Sequence, residues 1–417
     1  MKALLSAIVV LALSACGGST AVDPIFRPEG QGGENGSTNA PPAGNDPAPI
    51  APIGPYTGLV GTTDVSILYP MPLLGQSTDF LRPTDVGTYG ALLPKAAFDI
   101  VVPNDRIDAA TNIPKSGYAE LALVSLRLDH CSARKGSGCT SEIRAVFQAL
   151  YTTTEGVSGM AAADGGLHVI YEVSESELLT TMKQILTLKK AQGGLASQIL
   201  DVHPILAQQG LDGAFAKGLR AILLEHLGAE RIARITFFDH NFGFEQDGWL
   251  FTIFDRSGGT FVPKNIPKLS EERPSQIVVG SGPLDGPIQD TNVFDSENSE
   301  TKDDVRPLFK INSSALALPQ PAYDAALRIQ NPTLHDAEST DCANCHLAEG
   351  ARLRAKTFHE FSDAAAFEHA RPLGYKSERT SVTNLHAFGW MHRQVSIMQR
   401  TANESVIVAD WMEQKLK

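Results

Sequence analysis

The sequence predicts an α+β domain over about residues 56–286, followed by a small all-α domain over 307–417. Three observations carry that expectation. Runs of strand-like alternation in the first part stand on either side of a helical block, without the strict alternation of a doubly wound sheet. The stretch 287–306 is acidic and poor in apolar side chains, as a linker between two cores is. Beyond it, the patterns over 347–356 and at the C-terminus have helical spacing. The 417 residues suffice for two or three domains, and 42% hydrophobic with 20% charged residues is a globular composition.

The first 16 residues read as an export signal. Met1-Lys2 is a positive start, and an apolar run to Ala15 is too short and too early to span a membrane. Leu13-Ser14-Ala15-Cys16 resembles the lipobox of bacterial lipoproteins. That resemblance implies cleavage before Cys16 and its lipidation, which anchors the chain stably. Gly17, where an Asp would favour the inner membrane, implies an outer-membrane lipoprotein on the periplasmic or surface side. Residues 17–55 are Gly, Pro, Ala, Asn and Ser with scarcely a large apolar side chain, and read as a disordered tether. Its reach is about 35 Å.

In the 56–286 region, 121–128, 143–150 and 167–173 alternate as strands. Ser174 and Glu177 form a capping-box pattern before Leu178, Met182 and Ile185 at helical spacing. Helices are expected over 195–208, broken near Pro204, and over 211–227. Strands follow at 231–239, 249–255 and 276–279. Cys131 and Cys139 flank a short loop between two strands, and in an oxidising compartment they predict a structural disulfide. With His130 beside them, a metal site lacks a fourth ligand. His168, His203, His226 and His240 show no ligand spacing and read as surface or satisfied core residues. No nucleophile elbow, phosphate loop or zinc-protease helix occurs in this region, so no catalytic residue is assigned.

The chemistry lies further on, at Cys342-Ala343-Asn344-Cys345-His346. Two thiols three positions apart fall on nearly the same face of a helical turn, where both can add to one porphyrin's vinyl groups. His346, next in the chain, is then offered to the iron as proximal ligand. A thioredoxin-type C-x-x-C follows a strand and needs no His. A zinc ribbon needs a second pair that the chain lacks. The segment resembles a monohaem c-type cytochrome domain, and the resemblance covers the last quarter of the chain. It implies one haem c per chain in a small all-α cytochrome c-like fold.

In that family the sixth ligand is usually a Met in a loop before the last helix. Met391, 45 residues after His346, is the first choice and Met398 the second, with His386 or His392 as bis-His competitors. Phe388 and Trp390 are expected to wall the haem, and Arg393 or Arg400 to meet a propionate. Asn403 is expected to cap the final helix, whose apolar stripe is Val408, Trp411, Met412 and Leu416.

A coordinatively saturated haem implies an electron carrier in the periplasm or at the membrane surface, with a redox protein partner. A peroxidase-like haem enzyme and a ligand-binding surface lipoprotein with an auxiliary haem are the alternatives. The net charge of −12 argues against nucleic acid; it reads first as a solvated acidic surface and only second as a face for a basic protein partner. The cysteine count closes as one for lipid, two for a disulfide and two for haem.

Overall fold

A computed structural model describes residues 60–102, 117–130, 140–154, 156–194, 197–240, 247–269, 272–280, 292–293, 303–309, 320–377 and 384–417. The signal, the tether, Cys16, Cys131, Cys139 and most of the 287–306 linker lie outside the described residues.

Helix α1 (Thr62–Val65), strand β1 (Ser66–Leu68), the small ribbon β2 (Val86–Gly87) with β3 (Gly90–Ala91), and helix α2 (Lys95–Val101) open the fold. The alternating runs then form β4 (Leu121–Asp129), β5 (Ser141–Thr153), β6 (Gly159–Ala162) and β7 (Gly165–Val173). Helix α3 (Glu175–Ala191) starts on the capping box its sequence predicts, with the Ser174 hydroxyl accepting from Glu177 N and the Glu177 carboxylate accepting from Ser174 N. Pro204 begins α4 (Pro204–Gln209) where a break was expected, because at the first helical position its missing N–H costs nothing. Helix α5 (Ala214–His226) precedes β8 (Ile232–His240), β9 (Asp247–Ser257), β10 (Thr260–Pro263), β11 (Ser275–Gly280) and β12 (Asn292–Val293). The C-terminal part gives α6 (Arg306–Phe309), α7 (Gln320–Ile329), α8 (Cys342–Phe358), β13 (Phe388–Met391), β14 (Gln394–Ile397) and α9 (Gln399–Leu416).

Among the described residues, ten strands form one antiparallel sheet in the order β1-β4-β5-β7-β8-β9-β11-β12, with β6 beside β5 and β10 beside β9. Register fixes what each face carries. One face holds Ala145, Phe147, Leu167, Val169, Ile235 and Phe237, which share a core with Leu178 and Met182 of α3 and Phe215 and Leu219 of α5. The other holds Arg144, Val146, Gln148, His168, Thr236, Phe238, Phe251 and Gln276. That face is covered as well, by α7, α8, the β13–β14 hairpin and α9.

This overturns the expected division into an α+β domain and a small all-α domain. The C-terminal segment does not close on a core of its own. Ala343, Leu347, Ala348 and Ala351 of α8 and Tyr323 and Ala326 of α7 pack with Phe238, Trp249, Phe251 and Val278 of the sheet. Phe388, Trp390, Val395 and Ile397 of the hairpin, and Val408 and Met412 of α9, join the core of the first region. Nor is the segment all helix. Residues 388–397 turn at His392, whose φ is 54°, to make a two-stranded ribbon whose arms are buried away from the turn.

Asp303, inside the acidic stretch, is buried in an ion pair with Arg328 (2.6 Å) and a hydrogen bond with His335 (2.8 Å), so this carboxylate is a structural anchor. Met398 occupies the N-cap of α9, and Asn403 lies within the helix, donating to the Gln330 carbonyl at 2.9 Å. No helix among the described residues is long and apolar enough to cross a membrane.

Candidate functional site

Cys342, Cys345 and His346 occupy the first turn of α8, and the way that turn is held decides where they point. Asp341 is the N-cap. Its Oδ1 accepts from Asn344 N (2.9 Å) and its Oδ2 from Asn344 Nδ2 (2.7 Å). Gln276, fully buried on β11, clamps the same end by donating to Asp341 Oδ1 and accepting from Ala343 N, both at 2.9 Å. The Asn344 side-chain Oδ1 in turn accepts from Val305 N at 3.0 Å. The two intervening positions, Ala343 and Asn344, are therefore buried as structure. Cys342, Cys345 and His346 keep accessible surface.

Neither cysteine is in a disulfide. Burial pushes both thiols up, and Asp341 adds to the effect on Cys342. This is the opposite of what an attacking thiolate of the thioredoxin kind requires. The His346 ring rests on the aromatic floor of the sheet, 5.0 Å from Phe251 and 5.7 Å from Phe238 between ring centres. Its Nδ1 bonds the Leu385 carbonyl at 2.7 Å, which sets the tautomer with the proton on Nδ1 and a lone pair on Nε2. A carbonyl on the far nitrogen is how metal-binding histidines are oriented.

The facing wall comes from the sheet. Arg144 is tied to Asp129 (2.9 Å) and Glu142, Arg127 to Glu404, and Arg234 to Asp255 and Glu338. His168 lies between β5 and β8, opposite Val146 and Thr236. Burial, together with the nearby His346, Arg144, Arg127 and His386, presses its imidazole down to about 3, so it is neutral. A groove of about 520 Å³ runs along the same face, lined by Glu142, Ile170, Glu172, Arg231, Arg234 and Asp255.

The other expected site residues are placed as follows. Strand β13 runs about 10 Å from Phe388 to Met391, so Met391 sits at the turn end of the hairpin. There His392 is pinned by two backbone bonds to Ala162 and by Tyr151 Oη at 2.9 Å. Met398 is buried at the start of α9. His386 stands nearer to His346, with its ring 4.9 Å from Phe238. Its Nε2 bonds Asp164 at 2.9 Å, and its Nδ1 lies 3.4 Å from Gln148 Nε2.

Trp390 donates to the Tyr69 carbonyl, and Arg393 to the carbonyls of Pro72 and Met160; both fasten the hairpin. Arg400 donates to the Ile329 and His335 carbonyls and pairs with Glu404. His226 is satisfied by Gln184, as expected, and His203 stacks on Phe215 at 4.5 Å. His203 departs from the expectation of a satisfied core residue, since both its ring nitrogens are buried without a hydrogen-bond partner among the described residues. His168 shares a covered strand face with Arg144 and Gln148.

Among the described residues, no three His, Cys, Asp or Glu side chains converge to hold a bare ion. No family model, curated protein or solved structure matches this chain.

Proposed function

We propose that this chain carries one haem c, bound through Cys342 and Cys345 with His346 as proximal iron ligand, and serves as an exported electron carrier. The observation that carries the reading is the division of labour in the first turn of α8. Ala343 and Asn344 are buried and clamped by Gln276, Asp341 and Val305, while both thiols and the imidazole keep accessible surface facing a cationic and aromatic wall. The residues fit the group: two thiols on one side of a turn, an imidazole with its Nδ1 held by a carbonyl, and nearby guanidiniums able to meet carboxylates.

When bound, the haem supplies a one-electron iron centre. The protein's part is to hold it. Gln276 and Asp341 keep the attachment turn rigid. Phe238 and Phe251 give the His346 ring an apolar seat that excludes water, and Leu385 fixes its tautomer. The scaffold for this site is the covered antiparallel sheet. Lipidation at Cys16 and the 17–55 tether would keep the carrier at a membrane surface, with the outer membrane favoured, where it meets a redox protein. In that oxidising compartment Cys131 and Cys139 form a disulfide.

Full-length protein made in a host competent for c-type maturation should give a haem-staining band that survives denaturing electrophoresis. Cys342→Ala should lose most of that band. A wild-type protein exported and folded without covalent haem overturns the proposal.

A further inference from the structure

We infer that two paired turns, around Leu73-Leu74 and around Val157, dip into the lipid surface at which the anchor holds the chain. The inference rests on the lipidation of Cys16 in the reading above and adds how the folded part meets that surface.

Seven large apolar side chains stand open to water among the described residues. Three of them meet here: Leu73 (45% exposed), Leu74 (68%) and Val157 (60%). Scattered singly such residues need no explanation, whereas a contiguous group marks a surface for an apolar partner. These are contiguous because the two turns are joined. Leu74 N donates to the Ser158 carbonyl at 3.1 Å, Met160 N donates to the Pro72 carbonyl at 3.0 Å, and Leu73 forms a β-bridge with Gly159. Gly159 permits that approach, since a Cβ there would stand 2.4 Å from the Pro72 carbonyl oxygen.

Each turn is held in shape with its apolar residue outward. In the first, Gln76 N donates to the Leu73 carbonyl (3.0 Å), Gln76 Oε1 accepts from Leu73 N (2.7 Å), and Gly75 takes a φ of 85°. In the second, Gly156 takes a φ of 61° directly before Val157. Arg393 braces both from behind, donating to the carbonyls of Met71, Pro72 and Met160. With the backbone fixed in advance, insertion has little left to order.

Charge and size select the occupant. Residues 70–78 carry no charged side chain, and 151–162 carry one, Glu155. In a chain of net charge −12, this tip is the part that enters a neutral lipid interface with little stripping of water from ions. A stable protein interface takes about 800 Å² from each partner. Three side chains at two turn apices offer only a fraction of that. A bilayer asks for no such area from an anchored chain, because the tether makes insertion an intramolecular step. The lengths agree: Leu74 lies at most about 30 Å of extended chain from Val65, at the end of α1. The 17–55 segment reaches about 35 Å.

The test uses the full-length, lipidated protein on phosphatidylcholine vesicles that carry a photoactivatable diazirine in the acyl chain. After irradiation, peptides covering 71–78 and 156–160 should hold the label. Those of the β9–β10 hairpin, where Val262 is also exposed, should not. The double variant Leu74→Asp, Val157→Asp should lose the label from both turns and still float with the vesicles, since Cys16 holds it there. Both side chains are exposed, so it should unfold at the wild-type temperature.

Unlabelled turns in a wild type that floats with the vesicles overturn the inference, as does label that survives the double substitution. If unlabelled turns go with a wild type that sediments as a dimer, and Leu74→Asp splits the dimer, a second copy covers the tip and the lipid assignment is wrong. A wild type that carries no acyl chain and does not float defeats the anchor reading, and this inference falls with it.

Discussion

Glu404 is nearly fully buried on α9, and burial alone would push its carboxyl up. Arg127, Arg400 and Arg144 outweigh that penalty and hold it at about 2. A carboxylate whose folded value lies below its unfolded one stabilises the fold above the unfolded value. That contribution disappears as the pH falls through the folded value, here between about 4.5 and 2. Its size is on the order of 3 kcal/mol. Glu404→Gln should therefore be markedly less stable than wild type at pH 6, and the gap should shrink steadily as the pH falls from 5 towards 2. Urea unfolding at several pH values measures it, and a gap independent of pH would mean the ion network contributes nothing. The same cluster shows what the sequence hid at this scale. Arg127, Arg144, Gln148 and His168 sit at alternate positions of strands, which reads as a wet face. The face is covered instead, so Arg127 and Gln148 bond the layer above them, and Arg144 bonds Asp129 and Glu142 of its own sheet.

At the scale of elements, strands with long alternation were legible because runs of about seven or eight residues with a period-two pattern leave little ambiguity. Residues 121–128 and 167–173 became β4 and β7, and Ser174 and Glu177 announced α3 through side chains that act within a single turn. The hairpin was not legible. Each arm, β13 and β14, is only four residues long, too short for periodicity to declare itself between a ligand-bearing loop and a final helix. Two of the bonds that dock it come from one side chain. Gln148 donates to the Trp390 carbonyl at 2.7 Å and accepts from Trp390 N at 2.9 Å, so a glutamine of β5 extends the ladder to β13. Gly389 makes that approach possible, since a Cβ there would stand 2.6 Å from Gln148 Oε1. Gly389→Ala should cost about 1–3 kcal/mol by displacing a buried, doubly bonded amide. Gly374→Ala is the control, because its Cβ would meet Ile199 at 3.5 Å, an ordinary contact, and should stay within about 0.5 kcal/mol of wild type. Chemical unfolding of the two variants decides; equal stability would mean that the hairpin tolerates a wider gap from β5.

At the scale of the whole molecule, the acidic stretch and the helical C-terminus suggested a seam where two cores meet. The seam's own charges argue otherwise. Asp303 is buried against Arg328 and His335, and Val305 and Leu308 lie in the cluster that joins α7 and α8 to the sheet. Farther along, Arg371 donates to the Val60 carbonyl at 2.7 Å and pairs with Glu413, while Ser405 on α9 meets Ser66 on β1 at 2.6 Å. Such bonds close the two ends of the described chain on each other, as parts of one cooperative unit do. The consequence is an expected failure of dissection. A fragment ending at residue 306 would bare Phe238, Trp249, Phe251 and Val278, an apolar face large enough to bind a hydrophobic dye and drive association. A fragment of 307–417 would lose the floor on which α7, α8 and the hairpin rest, and should show no cooperative unfolding. Mixed together, the two should recover a single transition, because one core cluster is shared between them and the hairpin and α9 complete the other. Calorimetry and dye binding on the separate and mixed fragments provide the comparison. Cooperative unfolding of 307–417 alone would restore an independent domain, and with it a haem site built without the sheet.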